Sequence, residues 1–159
     1  MGASTVYHEK QIKELCALHA LNNLFQNRES YNKFQLDEIC RNLAPNDYIN
    51  PHRNPSCIDT SKIIGFILNV PSNYKIGIVR LPLQRRHWIA LKKIEGEYWN
   101  LDSKLDAPLV IGDEAQAMDY LRTQLQSNDK QLFVVCTKEV EKNKGWLLPE
   151  YRPDFFYDC

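Results

Sequence analysis

The stretch HWIALKKIEGEYWNLD, residues 87–102, decides most of what this sequence predicts about its fold. Both halves are rich in aromatic and branched side chains, which is typical of β-strands, and Glu95-Gly96 between them predicts a hairpin turn. If the loop has two residues, His87 and Asp102 lie on one face of the hairpin as diagonal neighbours, roughly 7–8 Å apart. A loop of three or five residues would place them on opposite faces. The predicted histidine–carboxylate pair therefore depends on this turn.

Helical patterns precede the hairpin. In residues 15–25 the apolar side chains recur at helical spacing, which predicts an amphipathic helix. Residues 36–43 predict a second helix by the same spacing. A short apolar helix is expected next, with Thr60 or Ser61 as its N-cap and with its end before Pro71.

Strand patterns dominate the rest of the chain. Four segments have a strand-like composition: residues 74–81, 87–94, 97–102 and 132–137. Between the last two, Asp113 and Gln116 form the sequence pattern of a capping box and predict one more helix. Helices first and strands later predict an α+β domain in which the N-terminal helices pack on a mostly antiparallel sheet.

The composition is that of one ordinary globular domain. The chain has 159 residues, of which 43% are apolar and 25% are charged. Twenty Lys and Arg balance twenty Asp and Glu, so no net field favours nucleic acid, and the basic pairs at 85–86 and 92–93 are more simply solvated charges. The sequence contains neither an apolar run long enough to cross a bilayer nor a signal-peptide core. We therefore expect a cytoplasmic protein without a nucleic-acid partner or a transmembrane segment.

The five cysteines predict reduced thiols, because their number is odd and they form no close CxxC pair. Cys16 and His19 have the spacing of a ligand pair, with His8 and His52 as further candidates. A zinc site would need a second closely spaced pair, which the sequence lacks. Neither a metal nor any other cofactor is expected.

Cys16 stands at the predicted start of the first helix. There the unpaired backbone N–H groups and the helix dipole favour a thiolate, which lowers a cysteine pKa. Gln11, five residues upstream, can donate to a carbonyl oxygen at the mouth of the same helix and form an oxyanion hole with the Cys16 N–H. His87 would then serve as base and Asp102 as the group that orients it. Each residue alone also fits a plainer role: a buried thiol, a surface glutamine or a half-exposed histidine.

Four segments together resemble the Josephin family of papain-like, ubiquitin-specific cysteine proteases: YHEKQ (7–11), LCALHALNN (15–23), HW (87–88) and YWNLDSK (98–104). The resemblance implies a papain-like fold, a partner that is ubiquitin or a ubiquitinated protein, and hydrolysis of ubiquitin isopeptide bonds. It also implies that Cys16, His87 and Asp102 are catalytic and that Gln11 belongs to the oxyanion hole. The sequence looks closer to the short, stand-alone members than to the member with a long polyglutamine tail.

The sequence departs from that family in two places. Near residues 53–61 it lacks several tens of residues that family members carry, and residues 147–159 match nothing known in the family. We therefore predict a Josephin-like catalytic domain over residues 1–146, with an internal deletion, and an unmatched C-terminal tail. The deletion leaves an alternative open, which is a catalytically weak or inactive ubiquitin-binding or regulatory variant.

Overall fold

The computed structural model describes residues 6–11, 15–36, 55–76 and 79–152. In chain order the longer elements are α1 (Cys16–Phe25), β1 (Gly65–Ile76), β2 (Val79–Ile94), β3 (Glu97–Asn100), β4 (Leu109–Gly112), α2 (Glu114–Leu125), β5 (Gln131–Val135) and α3 (Lys138–Lys142). Short 3-10 helices occupy Pro55–Cys57, Thr60–Lys62 and Pro149–Tyr151. The predicted second helix, over residues 36–43, lies outside the described residues except for its first position.

The five strands form one antiparallel sheet in the order β4-β3-β2-β1-β5. Helices cover this sheet, so the predicted α+β class is confirmed. The fold is consistent with the papain-like fold that the sequence predicts. Among the described residues no helix is long and apolar enough to span a membrane.

The turn between β2 and β3 is the two-residue loop that the sequence predicts. Ile94 pairs directly with Glu97. The two residues between them, Glu95 and Gly96, have φ angles of 51° and 92°. Positive φ at both central positions is what a type I′ hairpin requires, and this turn matches the twist of the two strands.

The central hairpin of β1 and β2 extends past its neighbours. Strand β5 pairs with β1 only from Gly65 to Asn69, and β3 pairs with β2 only from Leu91 to Ile94. Within the described residues, β1 beyond Asn69 therefore pairs with β2 alone, up to the Ile76–Val79 pair. We call this two-stranded extension the β1–β2 arm. His87 lies at its base, opposite Val70.

The sheet is buried on both faces, and alternate residues of β1 separate the two cores. Phe66 and Leu68 pack in one cluster with Met118 and Leu121 of α2. Ile67 packs in the other, which contains apolar residues of α1. The side chains in the second cluster are Ala20, Leu24, Ile67, Ala90 and Leu101.

The backbone of β1 approaches α1 and β2 closely at Gly65. A Cβ on Gly65 would lie 2.6 Å from the Leu91 carbonyl oxygen and 2.7 Å from Leu24 Cδ1. Glycine at this position therefore lets α1 lie directly on strands β1 and β2, which sets the height of the helix above the sheet.

The prediction of a short apolar helix before Pro71 is wrong. These residues form β1 instead, and Asp59 rather than Thr60 or Ser61 caps the preceding 3-10 turn, with Oδ1 accepting from Ser61 N–H at 3.1 Å. The run is continuously apolar because a central strand covered on both faces needs apolar side chains in both directions. Periodicity cannot distinguish such a strand from a buried helix.

The predicted strand over residues 74–81 is divided, since β1 ends at Ile76 and β2 begins at Val79. The helices over residues 15–25 and after Asp113 are confirmed, and Asp113 and Gln116 make both bonds of the capping box. Strand β4 and helix α3 have no counterpart in the sequence prediction. They are only four and five residues long, too short to show a clear period.

Candidate active site

His87 and Asp102 are in direct contact. The Nε2–H of His87 donates to Asp102 Oδ1 at 2.6 Å, and both side chains are largely buried. Strand β2 positions the histidine and the loop after β3 positions the carboxylate. Leu101 N–H donates to the Ala90 carbonyl at 2.9 Å, so the hairpin pairing continues to the residue before Asp102. The two-residue turn sets the register of β2 and β3, and this register places His87 next to Asp102.

Strand β2 is anchored on either side of His87. The Trp88 ring packs on Phe133 with a centroid distance of 5.5 Å. The Arg86 guanidinium donates to the side chain of Asn69 and, at 2.6 Å, to the Asp129 carbonyl. These contacts fix the base of the β1–β2 arm where it carries the histidine.

Cys16 is the first residue of α1 and is half-buried. Its Sγ lies 3.9 Å from the Arg86 carbonyl oxygen, and the His87 ring is the other hydrogen-bond partner of the same thiol, which has a single proton. Because Nε2 of His87 contacts Asp102, Nδ1 is the ring nitrogen left for the thiol. The structure thus brings Cys16, His87 and Asp102 together from three separate elements.

The three groups shift one another's pKa values in the direction that favours charge separation. Burial raises the pKa of the Cys16 thiol, but hydrogen bonds to His87 and to the Trp88 backbone outweigh it, so the net pKa is lowered. Burial lowers the pKa of His87, but the hydrogen bonds to Asp102 and Cys16 raise it above its usual value. Both shifts therefore move the pair towards a thiolate beside an imidazolium.

The Asp102 carboxylate stays ionised. Burial raises its pKa, but hydrogen bonds from His87 and from the Lys104 backbone hold the pKa below its usual value. The Lys104 N–H donates to Oδ1 at 2.9 Å. A carboxylate held in this way accepts from the imidazole and fixes its tautomer without taking the proton.

Gln11 is the last described residue of the segment 6–11, which has no regular secondary structure and which we call the N-terminal strap. Its backbone N–H donates to the Ser103 carbonyl at 2.8 Å, one residue after Asp102. His8 Nε2 donates to the Asp102 carbonyl at 2.9 Å. The strap therefore holds Gln11 beside the loop that carries the orienting carboxylate. The role of Gln11 in an oxyanion hole stays a prediction.

Sequence reasoning missed several polar residues that support the site: His8, Glu9, Asn23 and Lys104. The signal that could have found Asn23 is a pair of asparagines inside a leucine-rich helix, because asparagine is unfavourable there unless its side chain has a specific partner. For the others the sequence carries no comparable signal, since their partners lie far along the chain.

His19, the other half of the ligand-like pair, contacts a carboxylate. Its Nδ1 lies 3.2 Å from Glu9 Oε1. Within the described part of the chain, no group of three or more His, Cys, Asp or Glu side chains is arranged to hold a metal ion. His52 lies outside that part.

A cysteine at a helix N-terminus beside a sheet-borne histidine–carboxylate pair is the site arrangement of papain-like cysteine proteases. The Josephin family model matches residues 11–56 and 48–136 of this chain. A Josephin-like protein from Drosophila melanogaster is 40% identical over 92% of this chain and 82% of its own length. Human Josephin-2 is 38% identical over 90% of this chain and 92% of its own length. Human Ataxin-3 is 28% identical over 82% of this chain and 45% of its own length. The chain belongs to the Josephin family.

Proposed function

We propose that this protein is a deubiquitinase that hydrolyses peptide or isopeptide bonds at the C-terminus of ubiquitin, with Cys16 as nucleophile, His87 as general base and acid, and Asp102 as the orienting group. Membership of the Josephin family supports the cysteine protease and deubiquitinase class. The contact between His87 and Asp102, with Cys16 hydrogen-bonded to the same imidazole, supports the assignment of these residues.

In the first half of the reaction the Cys16 thiolate attacks the carbonyl carbon of the scissile bond. The electron pair of the carbonyl moves to oxygen and a tetrahedral intermediate forms. When the carbonyl re-forms, the C–N bond breaks, and the His87 imidazolium gives its proton to the departing amine. The product is a thioester between Cys16 and the ubiquitin C-terminus.

In the second half, neutral His87 takes a proton from water as the water oxygen attacks the thioester carbonyl. The C–S bond then breaks, which releases the ubiquitin C-terminus as a carboxylic acid and restores the thiolate–imidazolium pair. The acid then loses its proton to solvent and becomes the carboxylate. Throughout both halves Asp102 keeps the ring in one orientation and stabilises its positive charge.

Charge develops on the carbonyl oxygen in both tetrahedral intermediates. The backbone N–H of Cys16 has no acceptor within its own helix, because the first N–H groups of an α-helix never do. We propose that this N–H and the Gln11 side-chain amide donate to the oxygen. Attachment of the strap to the Ser103 carbonyl supports this role, because it fixes the Gln11 backbone next to the site.

Labelling by ubiquitin that carries a C-terminal electrophile tests the proposal, together with turnover of ubiquitin joined to a C-terminal fluorophore. The wild-type chain should form one covalent adduct, and Cys16→Ala should form none. Cys136→Ala is the matched control, since it removes another free thiol of the described chain and should label like the wild type.

A chain that binds ubiquitin but neither labels nor turns over would contradict the proposal. That outcome would favour the alternative of a ubiquitin-binding or regulatory variant without activity. A binding assay with free ubiquitin, run on the same preparation as the labelling, therefore distinguishes a deubiquitinase from an inactive ubiquitin-binding protein.

The domain limits and the cellular location are also proposals. We propose a catalytic domain over residues 1–146 with a deletion near residues 53–61, followed by a tail. The start of this tail belongs to the fold, because Leu147 is buried and pairs with Ile58. We propose a cytoplasmic location, because the cytosol keeps free thiols such as Cys16 reduced. Microscopy of the tagged full chain tests the location.

A further inference from the structure

Asn23 is a fully buried polar residue of α1. It is 0% exposed and lies about two turns after Cys16 on the same helix. A buried amide is costly unless its hydrogen bonds are made. Its partners therefore show what this residue does.

The Asn23 amide uses both of its ends. Its Oδ1 accepts from the Glu9 backbone N–H at 2.6 Å. Its Nδ2 donates to the Glu9 carbonyl at 3.2 Å and to the Leu101 carbonyl at 3.0 Å. The orientation of the amide is unambiguous, since a backbone N–H can only donate and a carbonyl can only accept.

These three bonds join the three parts of the chain that carry the site. Asn23 itself belongs to the helix that begins with Cys16. Glu9 belongs to the N-terminal strap, which ends at Gln11. Leu101 is the residue before Asp102. One side chain therefore connects the nucleophile helix, the strap and the loop of the orienting carboxylate.

The strap and the loop are also joined to each other without Asn23. His8 donates to the Asp102 carbonyl, and Gln11 N–H donates to the Ser103 carbonyl. The strap and loop thus form one unit. Two side chains of α1 and its C-cap bond to the backbone of this unit. Gln26 accepts from the Tyr7 N–H at 2.9 Å and donates to the Tyr7 carbonyl at 3.1 Å, at the start of the strap. Asn23 binds the strap nearer to Gln11 and also links α1 directly to the Asp102 loop through the Leu101 carbonyl.

We propose that Asn23 is a positioning residue that fixes the distance between the Cys16 thiol and the His87–Asp102 pair. This inference rests on the proposed function, because it assigns Asn23 to the same reaction. Without the amide, the Asp102 loop loses this hydrogen bond to α1, and the Glu9 backbone loses its bonds to the helix, so the loop can shift against α1. A displacement of about 1 Å can reduce a rate by about a hundredfold.

Asn22 provides a matched control, since it is the neighbouring residue of the same type, in the same helix and 2% exposed. Its Nδ2 donates to Glu9 Oε2 at 3.0 Å and its Oδ1 accepts from Tyr31 N–H at 3.4 Å. It touches the side chain of Glu9 but makes no bond to the described Asp102 loop. Asn22→Ala therefore removes a similar buried amide without releasing that loop.

The test compares Asn23→Ala and Asn22→Ala by two measurements. The first is the pH dependence of Cys16 alkylation by iodoacetamide, with the modified residue identified by mass spectrometry. The second is kcat and KM for ubiquitin joined to a fluorophore. Asn23→Ala should lower kcat by about a hundredfold with little change in KM, and should move the alkylation midpoint to higher pH. Asn22→Ala should lose thermal stability without moving that midpoint.

An unchanged alkylation midpoint in Asn23→Ala, or an equal shift in both variants, would overturn the proposal. If Asn23→Ala does not fold, Asn23→Ser, which keeps one donor and one acceptor, is judged by the same midpoint. Iodoacetamide needs no ubiquitin, so this measurement stands apart from the proposed function. A shifted midpoint in a chain that cannot cleave ubiquitin would support the positioning role and refute only the deubiquitinase activity.

Discussion

Nε2 of His87 lies 2.6 Å from Oδ1 of Asp102, and the backbone N–H of Lys104 donates to the same carboxylate oxygen. The Lys104 N–H, from the same loop, thus fixes the position of the carboxylate, and the carboxylate fixes the orientation of the His87 ring. In the proposed mechanism His87 and Asp102 do different work, because the imidazole moves protons and the carboxylate fixes its tautomer. Substitution of each residue should therefore give a different result.

His87→Ala should lower kcat/KM for a ubiquitin substrate by about a thousandfold, because both proton transfers lose their catalyst. Asp102→Asn should cost about tenfold, about 1.4 kcal/mol of transition-state stabilisation, since an amide oxygen still accepts from the ring N–H. Steady-state kinetics on the two purified variants measure this difference. Equal losses would argue against the separate roles.

The pH profile of Asp102→Asn should differ from that of the wild type in a defined direction. The active pair exists above the lowered pKa of Cys16 and below the raised pKa of His87. The negative charge of Asp102 helps to keep the pKa of His87 high, so its removal should move the alkaline limb of the profile to lower pH. Values of kcat/KM from about pH 5 to about pH 10 measure both limbs. An unmoved alkaline limb would show that the carboxylate does not act on the imidazolium.

The described thiols should differ in reactivity at neutral pH. Burial raises the pKa of Cys16, but the hydrogen bond and charge of His87 and the backbone hydrogen bonds together lower it overall, whereas burial raises the pKa of Cys57 and of Cys136. Because the thiolate is the nucleophile, iodoacetamide should modify Cys16 first. Mass spectrometry of peptides after timed alkylation measures the order. In His87→Ala the advantage of Cys16 should shrink, and a preserved advantage would mean that the helix N-terminus alone activates the thiol.

Lys92 should contribute to stability more than its neighbour Lys93. Lys92 Nζ donates to the Leu24 carbonyl at 2.7 Å, near the C-terminal end of α1, where a positive charge is favourable. Lys92→Met should cost about 1.5 kcal/mol, which is about 4 °C in Tm for a domain of this size. Calorimetry or circular dichroism measures this shift.

Lys93→Met is the control for that substitution. Lys93 makes an exposed ion pair with Glu114 at 3.2 Å, and such a pair contributes about 0.5 kcal/mol. If Lys93→Met lowers the Tm as much as Lys92→Met, the hydrogen bond from Lys92 to the Leu24 carbonyl contributes no more to stability than an exposed ion pair does.

The sequence predicts the hairpin at the site because the necessary information is local. Glu95 and Gly96 set the turn, and alternation along two strands then places His87 and Asp102. It does not predict β1, because Phe66, Ile67 and Leu68 are apolar on both sides and fit a buried helix equally well.

The supporting contacts of the site could not be derived from local patterns. Asn23 and Leu101 lie 78 residues apart, and His8 and Asp102 lie 94 residues apart. No rule of spacing joins positions at such distances, since their proximity depends on how α1 packs on the finished sheet. Strand β4 was missed for a different reason. Its Leu109 and Val110 are exposed, so the strand shows no alternation of buried and exposed residues.

The Cys16–Arg86 contact spans 70 residues, and this separation has a consequence for folding kinetics. A hairpin with a two-residue loop forms in about 1–10 μs, so base and carboxylate can meet early. The helix that carries the thiol must first close a far longer loop, whose entropy cost delays such contacts. A partly folded chain can therefore hold an assembled imidazole–carboxylate pair without the Cys16 thiol, so the proposed hydrolysis requires the last tertiary contacts to form.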